Sequence, residues 1–164
     1  MDQSAWMALQ ESAQAALTQP GTSDRETIAR YDGLGFLKAL ISGELPYPPI
    51  IETLNFILLE VEKGRAVVQG VPLFAHYNPI GSVHGGWYCT LLDTALACAV
   101  HSTLPRGKGY TTLELKVNMI RPITDKTGPV RAEGRIIHTG NQTAISEGSL
   151  FDSNGKLYAS ATTT

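Results

Sequence analysis

An antiparallel α+β domain, with its sheet wrapped around one central helix, is the fold class this chain predicts. Three observations point there. Segments with a two-residue apolar period fall in the order two strands, one helix, four strands, and such segregation favours an antiparallel sheet. The one long helical segment, residues 84–102, is built largely of small side chains that let a curved sheet approach it closely. Strong turn signals, Gly140-Asn141 and Asp152-Ser153-Asn154-Gly155, separate the last strands.

Taken in order, Ser4 to Leu17 predicts a helix that Pro20 and Gly21 stop. Residues 34–41 predict a short helix with an apolar face, ended by Gly43. Pro46, Pro48 and Pro49 then impose an extended connection. With no second core visible before residue 51, residues 1–50 read as an N-terminal helical extension docked on a main domain of residues 51–164. From residue 52 the period changes. Leu54, Phe56 and Leu58 alternate with Thr53, Asn55 and Ile57, predicting a strand, and Arg65–Gly70 reads as its hairpin partner across Gly64. After the helix, Pro105 and Gly107 mark a break. Tyr110–Ile120 then alternates, with Leu113, Leu115, Val117 and Met119 on the side expected to face the helix. Val130–Thr139, Gln142–Phe151 and Lys156–Thr163 complete the set.

The charge balance removes several function classes. Thirteen Lys and Arg against fifteen Asp and Glu give a net charge of −2, with no basic run, so the chain is not expected to bind nucleic acid. No apolar stretch reaches the roughly 18 residues of a membrane span. The first residues lack the basic start and apolar block of a secretory signal, which makes a cytoplasmic protein the expectation. Cys89 and Cys98 are nine residues apart, so on one helix they lie about 13 Å apart along the axis, too far for a disulfide.

The chemistry concentrates in Asn78-Pro-Ile-Gly-Ser-Val-His84-Gly85-Gly86 and in Asp93, eight residues after Gly85. A carboxylate inside a run of apolar and small residues is costly to bury without a partner or a task. The glycine pair leaves a helix N-terminus uncovered, with backbone N–H groups directed outward. A zinc site drawn from His76, His84, Cys98 and His101 has no standard ligand spacing. A cysteine hydrolase is equally unsupported, because both thiols suit a packed helix. Trp87 and Tyr88 read as core filling.

These residues, followed by Thr112-Leu-Glu-Leu-Lys-Val-Asn-Met-Ile-Arg121-Pro122, by Gly140 and by Asp152…Gly155-Lys-Leu-Tyr-Ala, resemble the hotdog-fold acyl-CoA thioesterases of the phenylacetate-pathway (PaaI-like) type over residues 52–164. The resemblance implies hydrolysis of acyl-CoA without a metal or cofactor, in dimers or dimers of dimers with sites at the subunit interface. It implies that Asp93 is the catalytic carboxylate and that the Gly85 amide polarises the thioester carbonyl. Asn78 and His84 would orient substrate or water, and Thr112 would place a hydroxyl near the carboxylate. Thr111 stands beside it, and counting back from Arg121-Pro122 favours Thr112. Gly86 and Arg121 are candidate substrate contacts, and Lys116, Arg131 and Arg135 join Arg121 as candidates for the CoA phosphates. Two further readings use the same fold: an acyl-CoA binding or sensing module without catalysis, and an acyl-thioester hydratase or dehydratase, whose motifs are not found here.

Spacing adds a constraint of its own. Eight residues of helix separate Gly85 from Asp93 by about 12 Å, so one carbonyl cannot touch both within a chain. Two antiparallel helices related by a two-fold axis would unite them.

Overall fold

A computed structural model describes residues 2–164, leaving Met1 of the expected extension outside the described residues. Four helices, α1 (Gln3–Ala15), α2 (Arg25–Ala29), α3 (Gly33–Ile41) and α4 (Ile50–Leu54), precede the strand pair β1 (Phe56–Glu62) and β2 (Arg65–Gly70). The central helix α5 (Gly85–His101) follows, then β3 (Leu115–Met119), β4 (Val130–Thr139), β5 (Ala144–Asp152) and β6 (Leu157–Thr163). The strands form one six-stranded antiparallel sheet in the order β1-β2-β4-β5-β6-β3.

The sheet curls around α5, and its sequence explains how. Bulges between Leu58 and Glu60, Ile136 and His138, and Leu150 and Phe151 bend the strands and increase their twist. At the centre of the curl Gly134 of β4 pairs with Gly148 of β5. A Cβ on Gly134 would sit 2.5 Å from the Ala95 carbonyl oxygen of α5, and one on Gly148 would sit 2.6 Å from Leu96 Cδ1. The helix therefore lies directly on bare backbone. Leu91, Leu92, Ala95, Leu96 and Ala99 form its wholly buried face. Each of the leucines contributes about 1.5–3 kcal/mol by leaving water. The opposite stripe, Thr90, Asp93, Thr94 and Ala97, is only half-buried.

Three aspartates, Asp2, Asp24 and Asp32, start α1, α2 and α3 by accepting a first-turn N–H. α1 lies on the face of the sheet away from α5. A buried polar chain holds it there: Gln69 Nε2 donates to Trp6 O at 2.7 Å and to Gln10 Oε1 at 3.2 Å, while Arg131 Nε donates to Gln69 Oε1 at 3.0 Å. The Arg131 guanidinium sits 4.1 Å above the Trp6 ring. Arg131 is thus only 7% exposed, covered by Trp6, and this burial removes it from the candidates for CoA phosphates.

Two strand expectations need correction. Residues 50–54 are helical, and β1 begins only at Phe56, because Asn55 takes a left-handed φ of 48° that ends α4. Its amide group and carbonyl then bond to Val71, so the apparent alternation of residues 53–55 belongs to a helix end. The segment Tyr110–Ile120 forms a strand only over Leu115–Met119, at the sheet edge. Leu113 and Met119, expected to face the helix, are 69% and 50% exposed, whereas Leu115 and Val117 are half-buried.

Candidate active site

The central helix α5 carries both parts of the site, one at its start and one two turns on. At its head, His84 is the N-cap, with φ −61° and ψ 138°, and its Nδ1 accepts the Gly86 N–H at 2.9 Å. Accepting at Nδ1 leaves the ring proton on Nε2, on an exposed imidazole. The Trp87 N–H bonds back to the His84 carbonyl. Of the first three helical amides, only that of Gly85 has no acceptor among the described residues. Gly86, expected as a substrate contact, has its amide engaged by His84 instead. Met119 of β3 packs over Gly85, so close that a Cβ there would meet its Cε at 2.7 Å.

Two turns on, Asp93 stands on the half-buried stripe of α5 and not in the fully buried face its apolar neighbours suggested. Thr112 Oγ1 donates to its Oδ1 at 2.9 Å. That bond separates Thr112 from its neighbour Thr111. Beside this pair opens a cleft of about 830 Å³, bordered by Ala97, Val100, Tyr110, Thr112 and Thr143.

The loop before the helix is self-contained. Asn78 Oδ1 accepts from the N–H groups of Ile80 and Ser82, and its amide donates to Ser82 Oγ at 3.2 Å. Asn78 thus organises its own loop within one chain. Arg121 is exposed and donates to the Leu157 carbonyl at 2.6 Å. Lys116 is exposed on the edge strand, and Arg135 pairs with Glu133.

The thiols are poorly suited to nucleophilic attack. Burial, reinforced by the charge of Asp93, pushes Cys98 up to about 12 and also raises Cys89. Thiolate, not thiol, is the reactive form. No group of three His, Cys, Asp or Glu among the described residues is arranged to hold a metal ion. No described helix is long and apolar enough to cross a membrane.

A carboxylate oriented by a hydroxyl, and a bare amide at a helix start, are the parts an acyl-transfer site requires. Comparison with known proteins agrees. Residues 80–159 match the family model of the thioesterase superfamily. A proposed esterase of Saccharolobus solfataricus is 32% identical over 113 residues, covering 68% of this chain and 78% of that protein. The chain belongs to the thioesterase superfamily. The 1,4-dihydroxy-2-naphthoyl-CoA hydrolase of Listeria monocytogenes is 29% identical over 106 residues, 65% of this chain and 85% of that one. A crystal structure of a proposed thioesterase from Ralstonia eutropha, a phenylacetic acid degradation-related protein, superimposes with a TM-score of 0.70. It is 31% identical and covers 78% of this chain and 96% of that one. The fold is the hotdog fold of the PaaI-like thioesterases, and thioester hydrolysis is the family's chemistry.

Within this family frame, sequence reasoning missed three supports of the site. Tyr88 is more than core filling: its hydroxyl accepts the Ile123 N–H at 2.6 Å and donates to the Arg121 carbonyl at 3.1 Å, pinning the loop after β3 to the first turn of α5. His76 stacks on Trp87 at 5.7 Å, and its carbonyl accepts the His84 N–H. Met119 covers Gly85. None has a local signal, because each partner lies eight or more residues away.

Proposed function

We propose that this chain hydrolyses acyl-CoA thioesters with medium-chain or aromatic acyl groups to the free acid and CoA, and that Asp93 and the Gly85 amide carry the reaction. The observation that carries this reading is the Thr112–Asp93 hydrogen bond on the uncovered stripe of a helix whose first N–H is free. The Gly85 N–H, aided by the helix dipole, stabilises the oxyanion that forms on the thioester carbonyl. Asp93 either takes a proton from water as the water oxygen attacks the carbonyl carbon, or attacks that carbon itself. In both routes the C–S bond breaks and CoA leaves as thiolate. In the second, water then cleaves the acyl-aspartyl anhydride. The thiolate is a good enough leaving group to need no strong general acid.

One chain holds these groups about 12 Å apart. The working unit is therefore a homodimer with two composite sites, Gly85 of one subunit facing Asp93 of the other, and such dimers pair further. Two features support this reading. β3 is an edge strand that ends in exposed Met119, with exposed Leu113 and Ile120 beside it, and the half-buried stripe of α5 around Asp93 carries the small side chains of Thr90, Thr94 and Ala97. An exposed apolar edge strand invites pairing with another chain.

The test is a thiol-release screen over acyl-CoA substrates of increasing length and with aromatic acyl groups, with Asp93→Ala as control. Release by the wild type and not by the control supports the proposal. Acyl-CoA binding without release would make the chain a binding module instead, and loss of enoyl absorbance without thiol release would make it a hydratase.

A further inference from the structure

A second cavity lies on the other flank of the Asp93 stripe. It measures about 120 Å³ and separates α3 from α5. Its floor is formed by buried Leu37, Ile51 and Phe56, and its rim by half-buried Leu40, Ile41 and Thr94. Leu37, Leu40 and Ile41 belong to α3, which precedes the first residue of the family match by about forty positions. Thr94 directly follows Asp93 on α5.

The lining dictates what fits. No charged side chain borders the cavity, and its two hydroxyls are committed. Thr94 Oγ1 donates to the Thr90 carbonyl at 2.7 Å, and Tyr47 donates to Glu52. Water entering would find no free hydroxyl donor, so the space favours an apolar occupant. Protein interiors seldom retain voids of this size, because lining atoms without neighbours forfeit packing energy. An aliphatic cavity of about 150 Å³ accepts a benzene molecule. This one suits a single ring or a short branched chain, and is too small for a long acyl tail.

We propose that this cavity receives the acyl group of the substrate, and that α3, outside the matched family region, sets the size limit through Leu40. The inference rests on the thioesterase reading for the identity of the ligand. It deepens that reading by choosing compact acyl groups, and by giving residues before β1 a role in specificity. The carbonyl at Asp93 and the acyl group beside Thr94 are then contiguous along one helix.

The test uses CoA thioethers, which bind without being hydrolysed. Methyl-, isobutyl-, benzyl- and dodecyl-CoA are titrated calorimetrically into the wild-type chain, Leu40→Phe and Leu40→Ala. The expected wild-type result is at least tenfold tighter binding of benzyl- or isobutyl-CoA than of methyl- or dodecyl-CoA. Leu40→Phe removes that advantage while methyl-CoA binds as before, and Leu40→Ala moves the optimum to a larger group. Opposite shifts from opposite volume changes would not arise from general destabilisation, and Leu40→Ala alone decides if the bulkier variant does not fold. An unchanged size preference in the variants, or none in the wild type, overturns the proposal. Size-selective binding without thiol release from the matching acyl-CoA would overturn the hydrolase reading and leave the pocket standing.

Discussion

Thr112 donates its hydroxyl to Asp93 Oδ1 across 2.9 Å, joining the segment that enters the edge strand to the middle of the central helix. The bond fixes one carboxylate oxygen and leaves the other for a substrate or a water. Thr112→Val keeps the side-chain shape and removes the donor. It is expected to lower kcat about 10- to 100-fold with little change in KM, since it disturbs the orientation of the base more than substrate binding. Steady-state thiol release measures this, and a variant with wild-type kcat would show that the hydroxyl does not orient Asp93.

Asp93→Asn is the companion test. The carboxamide oxygen can still accept from Thr112, so the fold and the local hydrogen bond survive while the proposed base or nucleophile is lost. Hydrolysis is expected to fall by roughly 100-fold or more, with circular dichroism and melting midpoint unchanged. Near wild-type turnover by the folded variant would remove Asp93 from the mechanism.

Much of the architecture was legible because its signals are local. Gly85 and Gly86, the run of small residues and the break at Pro105 and Gly107 delimit α5 without outside help. The misread parts depend on distant partners. Asn55 ends a helix in the left-handed region while bonding to Val71, and its neighbours mimic a strand period. Arg131 looks like a solvated strand residue until Trp6, far along the chain, covers it. The same limit applied within the site. His84 and Gly86 are near enough in sequence to suggest a helix start, but only geometry reveals that His84 engages the second glycine amide and leaves the first free.

The Gly134 contact predicts a stability effect of definite sign. Its missing Cβ would lie 2.5 Å from the Ala95 carbonyl oxygen and 2.8 Å from the Leu96 nitrogen, both backbone atoms that cannot rotate away. Gly134→Ala must separate helix and sheet, at a cost of roughly 3 kcal/mol. For a chain of this length that lowers the melting midpoint by roughly 6–12 °C in calorimetry. A midpoint within 2 °C of wild type would mean that α5 can lift from the sheet freely.

Two histidines make stability depend on pH. Burial holds His76 and His101 below their ordinary 6.5, although the Thr53 carbonyl beside His76 acts in the opposite direction. Below about pH 6.5 the unfolded chain then binds more protons than the folded one. Stability is full above that pH, declines as pH falls through 6.5, and stops declining once pH passes the lowered folded values. The steepest slope for one such histidine is about 1.4 kcal/mol per pH unit. Urea unfolding at pH 7.5 and 5.5 checks this: the double variant His76→Gln, His101→Gln should show a smaller loss between the two than the wild type. An equal loss would assign the dependence to other groups.

The two proposed half-sites can be separated genetically, and the helix start supplies a clean way to do it. Gly85 is the first helical residue, a position where proline is favoured and its missing N–H breaks no helical bond. His84 already has the extended backbone that a following proline requires, and a Cβ at Gly85 would meet the flexible end of Met119. Gly85→Pro therefore deletes the free amide while leaving the helix intact, and alone it should abolish hydrolysis as Asp93→Asn does. When the two inactive variants are unfolded together and refolded as a random mixture, half the dimers are mixed. Each mixed dimer joins the intact Gly85 of one subunit to the intact Asp93 of the other at one of its two sites. Activity should return to about a quarter of wild type, half the dimers with half their sites. Sites contained within single chains would stay dead in the mixture, so an absence of recovery, with mixed dimers verified by mass spectrometry, would overturn the composite site.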